Sequence, residues 1–140
     1  MNNTFYHQHT NQNLELSQKL NAMPGDRLRV KHWWGEHVGT MGYGGIIYAN
    51  SLRHGKICKV TPLEFSDGKQ IVNDGLIGHF PSQSVILRWE SLMGRPYDLL
   101  SFNCEHSDNL VRGFGAKSNQ VRDLVIGFAV LAGVAVLSKR

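Results

Sequence analysis

The sequence predicts an α+β domain in which helices flank a small antiparallel sheet. Short segments of alternating apolar and polar residues, separated by glycine-rich turns, predict strands that pair as hairpins. Segments with apolar residues at helical spacing, followed by glycine, predict the flanking helices. The chain has 140 residues, which suffices for one domain with a hydrophobic core.

The elements are expected in a definite order. Residues 1–12 should form a polar arm, followed by a short helix that ends before Pro24. Strands are predicted over residues 27–31, 37–41, 46–50, 56–60 and 70–72. Helices are predicted from the capping box Thr61–Glu64, from Val85 to Met93, and from Cys104. The loop Trp33-Trp34 should pack at the core or its rim, and a substrate contact is the alternative.

The segment Asn103-Cys104-Glu105-His106 lies where the last of these helices should begin. Asn103 is a favoured N-cap residue, and the Glu105 carboxylate in the first turn complements the helix dipole. A cysteine there is a candidate nucleophile, because a helix N-terminus and a nearby imidazole both lower the pKa of a thiol. His106 lies about 200° around the helix from Cys104, so we expect a structural role for it. The base must come from elsewhere, and His37 in the second strand is the candidate.

The two cysteines indicate neither a disulfide framework nor a metal site. Cys58 lies in the fourth predicted strand and is expected to be an inert, buried thiol. The chain has no CxxC motif and its seven histidines are scattered, so we expect no metal and no cofactor. The N-terminal residues lack the apolar stretch of a signal peptide, which favours a reducing compartment.

The positive charge of the chain is concentrated towards its end. Residues 1–111 contain ten Lys or Arg and ten Asp or Glu, whereas residues 112–140 contain five basic groups and one acidic group. A nucleic-acid-binding protein would carry basic groups on its folded domain, so we expect no nucleic-acid partner. The charges flank an apolar stretch, residues 124–137. We expect residues 121–140 to form an apolar helix on an anionic membrane surface, and a buried core helix is the alternative.

The apolar stretch is shorter than a helix that spans a membrane. The uncharged stretch covers about 21 Å as a helix, against about 30 Å for the hydrocarbon core of a bilayer. Snorkelling of Arg122 and Lys139 narrows that difference. Including Val121, or a thin bilayer, narrows it as well, so a transmembrane helix is expected in this segment.

With these motifs in place, the chain resembles the lecithin:retinol acyltransferase-like (LRAT-like) proteins, relatives of the NlpC-type papain-like cysteine hydrolases. The resemblance covers roughly residues 24–138 and includes Pro24-Gly25-Asp26, His37-Val38-Gly39, Gly94 to Leu100, Asn103-Cys104-Glu105-His106, and Ser118-Asn119-Gln120-Val121-Arg122. It implies a circularly permuted papain-like fold, in which the base precedes the nucleophile. It also implies acyl transfer from phospholipids through a thioester on Cys104, with His37 as the base.

The chain departs from this family at the third catalytic residue. Family members commonly have a second histidine, and counting without gaps places Ala49 at that position. Asn50 can orient an imidazole through its amide oxygen. Tyr48 is the alternative if the glycine-rich turn contains a one-residue gap. Ser107 stands where an aromatic residue is usual, which should loosen the packing of its helix.

We therefore expect three regions: an arm with a short helix (1–23), an LRAT-like catalytic domain (24–120) and a membrane-associating helix (121–140). The expected activity is that of a thiol acyltransferase or phospholipase of lipid metabolism, anchored at the cytoplasmic face of a membrane and acting on a phospholipid or another acyl ester. The alternatives are a cysteine amidase or peptidase and a membrane-bound adaptor with a decayed site. The apolar C-terminal stretch disfavours a soluble peptide substrate, whereas Ala49 and Ser107 favour decay.

Overall fold

The computed structural model describes residues 3–115, 121–122, 125–126 and 129. The helices are α1 (Asn3–Leu20), α2 (Pro62–Ser66), α3 (Ser82–Leu92) and α4 (Cys104–Val111). The strands are β1 (Arg27–His32), β2 (Gly35–Met41), β3 (Ile47–Ser51), β4 (Lys56–Val60) and β5 (Ile71–Gly75).

The five strands form one antiparallel sheet in the order β4-β3-β2-β1-β5. A short 3-10 turn, Tyr43–Gly45, joins β2 to β3 where the sequence predicts a hairpin. Gly44 has a φ of 70° there, a conformation that glycine adopts without steric cost. The α+β class and the antiparallel sheet are confirmed, and the permuted papain-like topology stays a prediction.

The sheet is covered on both faces, and each face has its own core. On the face that packs against α1 and α2, called the α2 face, the buried residues are Leu28, Val30, Met41, Ile47, Ala49, Val60, Phe65 and Ile71. On the face that packs against α3 and α4, called the α4 face, they are Tyr48, Ile57, Val85, Ile86, Trp89, Phe102 and Val111. The alternation of side chains along each strand produces this division.

The N-terminal helix is longer than the sequence predicts. α1 begins at Asn3, so most of the expected polar arm is helical. The Asn13 side chain accepts a hydrogen bond from the Leu63 backbone N–H at 2.8 Å, which ties α1 to α2. Leu20 also packs against the core of the α2 face. Because residues 3–12 are mostly polar, they lack the apolar periodicity from which a helix is predicted.

The apolar helix predicted over residues 121–140 lies largely outside the described residues. Among the helices that the described residues form, none has both the length and the apolar character needed to span a bilayer. The prediction for this segment therefore stays a prediction.

Candidate active site

Cys104 is the first residue of α4, and the residues around it form the helix cap. The Asn103 side chain accepts hydrogen bonds from the backbone N–H groups of Glu105 and His106, at 3.0 Å and 3.1 Å. His106 Nδ1 accepts a hydrogen bond from the Asn103 backbone N–H at 3.2 Å, which completes a capping box. His106 thus has a structural contact. The N–H groups of Glu105 and His106 are thus both hydrogen-bonded to the Asn103 side chain.

Ser107 packs tightly, contrary to the expectation that it loosens α4. Its side chain is fully buried, and its hydroxyl donates to the backbone carbonyls of Asn103 at 2.9 Å and Cys104 at 3.1 Å. A small residue with a hydroxyl therefore fits against the start of the helix. This contact fixes the backbone on both sides of the Cys104 Cα atom.

The Cys104 sulfur lies against the backbone of β2, next to His37. The thiol donates to the carbonyl oxygen of Glu36 with an S···O distance of 3.7 Å, and the Val38 N–H contacts the sulfur. The sulfur is thus bracketed by the two residues that flank His37 in the chain. The structure brings the predicted nucleophile to the strand segment that carries the predicted base.

The expected low pKa of Cys104 is not found. Burial raises the pKa of this thiol from 9.0 to about 11, since only 1% of the residue is exposed. The N–H groups of Val38 and Glu105 act in the opposite direction, and the carboxylates of Glu105 and Asp108 add to the increase. The thiol is therefore protonated in the resting structure.

The His37 ring lies on the α2 face, in line with the alternation of β2. It packs against the Phe65 ring, with 4.8 Å between the ring centroids. The pKa of His37 is lowered from 6.5 to about 4, mainly by burial and to a smaller extent by the nearby His32. The imidazole is neutral at physiological pH, which is the form that accepts a proton.

The candidates for a third residue lie on the other face. Asn50 is fully buried on the α4 face, where its amide donates to the Phe102 carbonyl at 2.8 Å. Tyr48 pairs with Thr40 across the strands and its hydroxyl contacts Glu90. Neither side chain has a recorded contact with His37 among the described residues. Ala49 shares the face of His37, as counting along regular strands requires.

A cavity of about 450 Å³ opens on the α2 face beside His37. Phe65 and Val60 line its apolar wall, and the more exposed lining residues include Trp34 and Leu52. Cys104 is not among the residues that line it. Sequence patterns do not reveal this cavity, because its wall is assembled from β1, β2, β3, β4, α2 and the turns between strands.

A buried network of hydrogen-bonded side chains, which local sequence patterns do not predict, holds α4 on the sheet. Thr40 Oγ1 accepts hydrogen bonds from Trp89 Nε1 at 2.8 Å and from an Arg112 Nη at 2.7 Å. Asp108 binds Arg112 at 2.9 Å and Arg27 at 2.8 Å. We name these five residues the α4 clamp. They fix the helix that begins with Cys104 at a set position over β2.

Arg112 is therefore not one of the charges available to a membrane. The sequence groups it with the basic residues near the apolar stretch, but its side chain is fully buried. It also donates to the Gly25 carbonyl at 3.0 Å. A buried cation with several hydrogen-bond partners stabilises the packing within the domain.

Comparisons with known proteins show similarity over part of the chain. No family model matches the chain. Two curated relatives share the name phospholipase A and acyltransferase 3: the human protein is 40% identical over 78 residues and that of Pongo abelii 38% identical over 78 residues. Each match covers 52% of this chain and 48% of the relative, so the chain spans about half the length of these relatives. These matches support an LRAT-like domain in this chain. The names of the relatives fit a family of acyltransferases and phospholipases.

Proposed function

We propose that this LRAT-like domain is a cysteine-dependent acyltransferase or phospholipase A-type hydrolase, acting on a phospholipid or another acyl ester. The observation that carries the proposal is the Cys104 sulfur, which lies at the start of α4 and 3.7 Å from the carbonyl of the residue before His37. The names of the relatives fit this chemistry. The proposal includes a contact between residues 121–140 and the cytoplasmic face of a membrane.

The Cys104 thiol bonds the Glu36 carbonyl and the His37 ring packs on Phe65, so the described residues show no contact between the two groups at rest. In the proposed reaction, the thiol first turns to the imidazole; the sulfur then attacks the ester carbonyl while His37 removes the thiol proton. A C–S bond forms, the ester C–O bond breaks, and His37 returns the proton to the leaving alkoxide. Water or another acceptor then attacks the thioester, which releases the acyl group and restores the thiol. Because both groups are neutral at rest, proton transfer accompanies C–S bond formation.

The proposed chemistry uses Cys104 and His37 without a third side chain. Asn50 and Tyr48 are engaged with Phe102 and Glu90 on the other face of the sheet. Loss of the orienting residue of a triad costs less than loss of the nucleophile or the base, so a dyad can still carry out the reaction, at a lower rate. The sulfur is 1% exposed, so the ester reaches it only after the covering side chains move.

Two cysteine variants test the proposal directly. Mixed phospholipid vesicles are incubated with the full chain, and released fatty acids and new acyl products are measured by mass spectrometry. Cys104→Ala should lower the rate to background, whereas Cys58→Ala, which removes the other thiol, should leave it within about twofold. Equal losses in the two variants would show that Cys104 is not the nucleophile.

A non-catalytic role is the second candidate, and the burial of the thiol favours it. A pKa of about 11 leaves little thiolate at neutral pH. Alkylation of Cys104 by iodoacetamide distinguishes the catalytic role from the non-catalytic one. It is measured by peptide mass mapping with and without vesicles. Faster alkylation with vesicles supports acyl transfer, and an unreactive thiol under both conditions supports a non-catalytic domain.

A further inference from the structure

We propose that one end of the sheet is a docking surface for an anionic phospholipid bilayer. This turn surface consists of Lys31, Trp33 and Trp34 around the β1–β2 turn, and Leu52 and Arg53 in the β3–β4 turn. None of its residues belongs to the segment 121–140. It also stands independently of the activity proposed for Cys104, since binding to a bilayer requires no reaction.

The topology of the sheet places the two turns together. β1 and β3 are both antiparallel to β2, so they run in the same direction and their following turns lie at the same end. The turns are about two strand spacings, or ~10 Å, apart. The turn Tyr43–Gly45 lies at the opposite end of the sheet.

The apolar side chains of the turn surface project from the domain. Trp33 is 97% exposed, and Leu52 is 63% exposed. Trp34 is 46% exposed and stacks on His32, with 4.7 Å between the ring centroids. Indole rings favour the boundary between water and lipid, because they are apolar with one N–H donor.

The charges of the turn surface complement an anionic lipid headgroup. Lys31 and Arg53 are exposed, and neither forms a salt bridge with another described residue. Two carboxylates also line the cavity: Glu64 contacts His54, and Asp67 is paired with Lys69 at 3.7 Å. Lys and Arg near a bilayer surface add attraction to anionic lipids.

The cavity beside His37 continues from the turn surface. Its lining includes Trp34, Leu52 and Arg53 as well as His37. A bilayer seated on the turns would therefore face a cavity that leads to the proposed base. This continuity favours a lipid surface over a soluble protein as the occupant.

Quenching of tryptophan emission by brominated lipid tests this orientation in the full chain. The vesicles contain phosphatidylcholine with brominated acyl chains and phosphatidylserine. The bound wild-type protein should be quenched, and Trp33→Phe should lose a large part of that quenching, while Trp34 in the same surface accounts for the remainder. Tyr43→Trp in the Trp33→Phe background is the matched control, because Tyr43 is 60% exposed at the opposite end. Its added emission should stay unquenched.

Two further measurements keep the test decisive. Trp33→Ala combined with Leu52→Ser should weaken vesicle binding roughly tenfold relative to Tyr43→Ala. On vesicles, the amides of residues 31–36 and 51–56 should gain protection from hydrogen exchange, and those of residues 42–46 should not. The quenching and hydrogen-exchange signals are local to the turns, so they do not depend on how much residues 116–140 add to vesicle binding.

Three results would overturn the docking surface. They are bound protein without quenching at Trp33, equal quenching at position 43, and self-association through the turns with no binding to vesicles. Cys104→Ala should bind and be quenched like the wild type. Loss of activity with retained quenching therefore separates the chemistry from the docking.

Discussion

The two faces of the sheet support the candidate site in different ways. On the α4 face, Asp108 lies between Arg27 and Arg112, and every member of this group is hydrogen-bonded. On the α2 face, apolar side chains surround a cavity that reaches His37. The proposed nucleophile, Cys104, is therefore held by the closely packed side, and the proposed base, His37, lies on the side that has the open cavity.

In the proposed mechanism, one face of the sheet positions the thiol and the other face admits the substrate. The α4 clamp sets where Cys104 sits over β2. The α2 face and the turn surface provide space and access. A change in the clamp should therefore affect stability first, whereas a change near the cavity should affect binding and pH dependence.

Arg112→Met should produce the largest loss of stability. It leaves the buried Asp108 carboxylate with one basic partner fewer, and breaking a buried ion pair costs about 3–5 kcal/mol. The free energy of unfolding is measured by urea denaturation. Arg53→Met, at an exposed position near the cavity, should change it by no more than about 0.5 kcal/mol. Similar losses in both variants would contradict the contrast between the faces.

His37 should make the domain less stable as the pH falls. Its pKa is about 4 in the folded chain against an ordinary value of 6.5, so the unfolded chain binds the proton first. The stabilising contribution is complete above about pH 6.5 and is lost as the pH falls towards about 4. In urea titrations across this window, His37→Gln should lose less stability than the wild type. Parallel curves would show that His37 is not buried in its neutral form.

Asn50→Ala should have a smaller effect, and mainly on stability. It removes one hydrogen bond to the Phe102 carbonyl, which still accepts from the Asp98 backbone N–H, so the expected cost is about 0.5–1.5 kcal/mol. The acid limb of the pH–rate profile should not move, because Asn50 lies on the face opposite the His37 ring. Tyr48→Phe is the control on the same strand. A shifted acid limb in Asn50→Ala alone would show that Asn50 orients the imidazole.

The sequence predicts the elements that local patterns define. Alternation identifies the strands, and the cap residue Asn103 identifies the start of α4 and the position of Cys104. These features depend on neighbours in the chain, so one sequence suffices to find them. The placement of His37 on a strand of the sheet follows in the same way.

Features that depend on distant residues could not be predicted. The burial of Arg112 follows from contacts with Gly25, Thr40 and Asp108, of which two lie far away in the sequence. The raised pKa of Cys104 follows from how completely the fold covers the sulfur. A helix N-terminus indicates a low thiol pKa, but it does not show how much water is excluded. Burial outweighs the helix in this case.

Acylation of Cys104 is the most direct test of the proposed chemistry. The full chain is mixed with phosphatidylcholine, quenched in acid, and analysed by intact mass and peptide mapping. We expect one acyl group on Cys104, removable by neutral hydroxylamine, and none in His37→Ala or Cys104→Ala. Cys58→Ala should still be acylated. Lipid turnover without an adduct on Cys104, or an equal adduct in Cys104→Ala, would contradict a thioester mechanism at this residue.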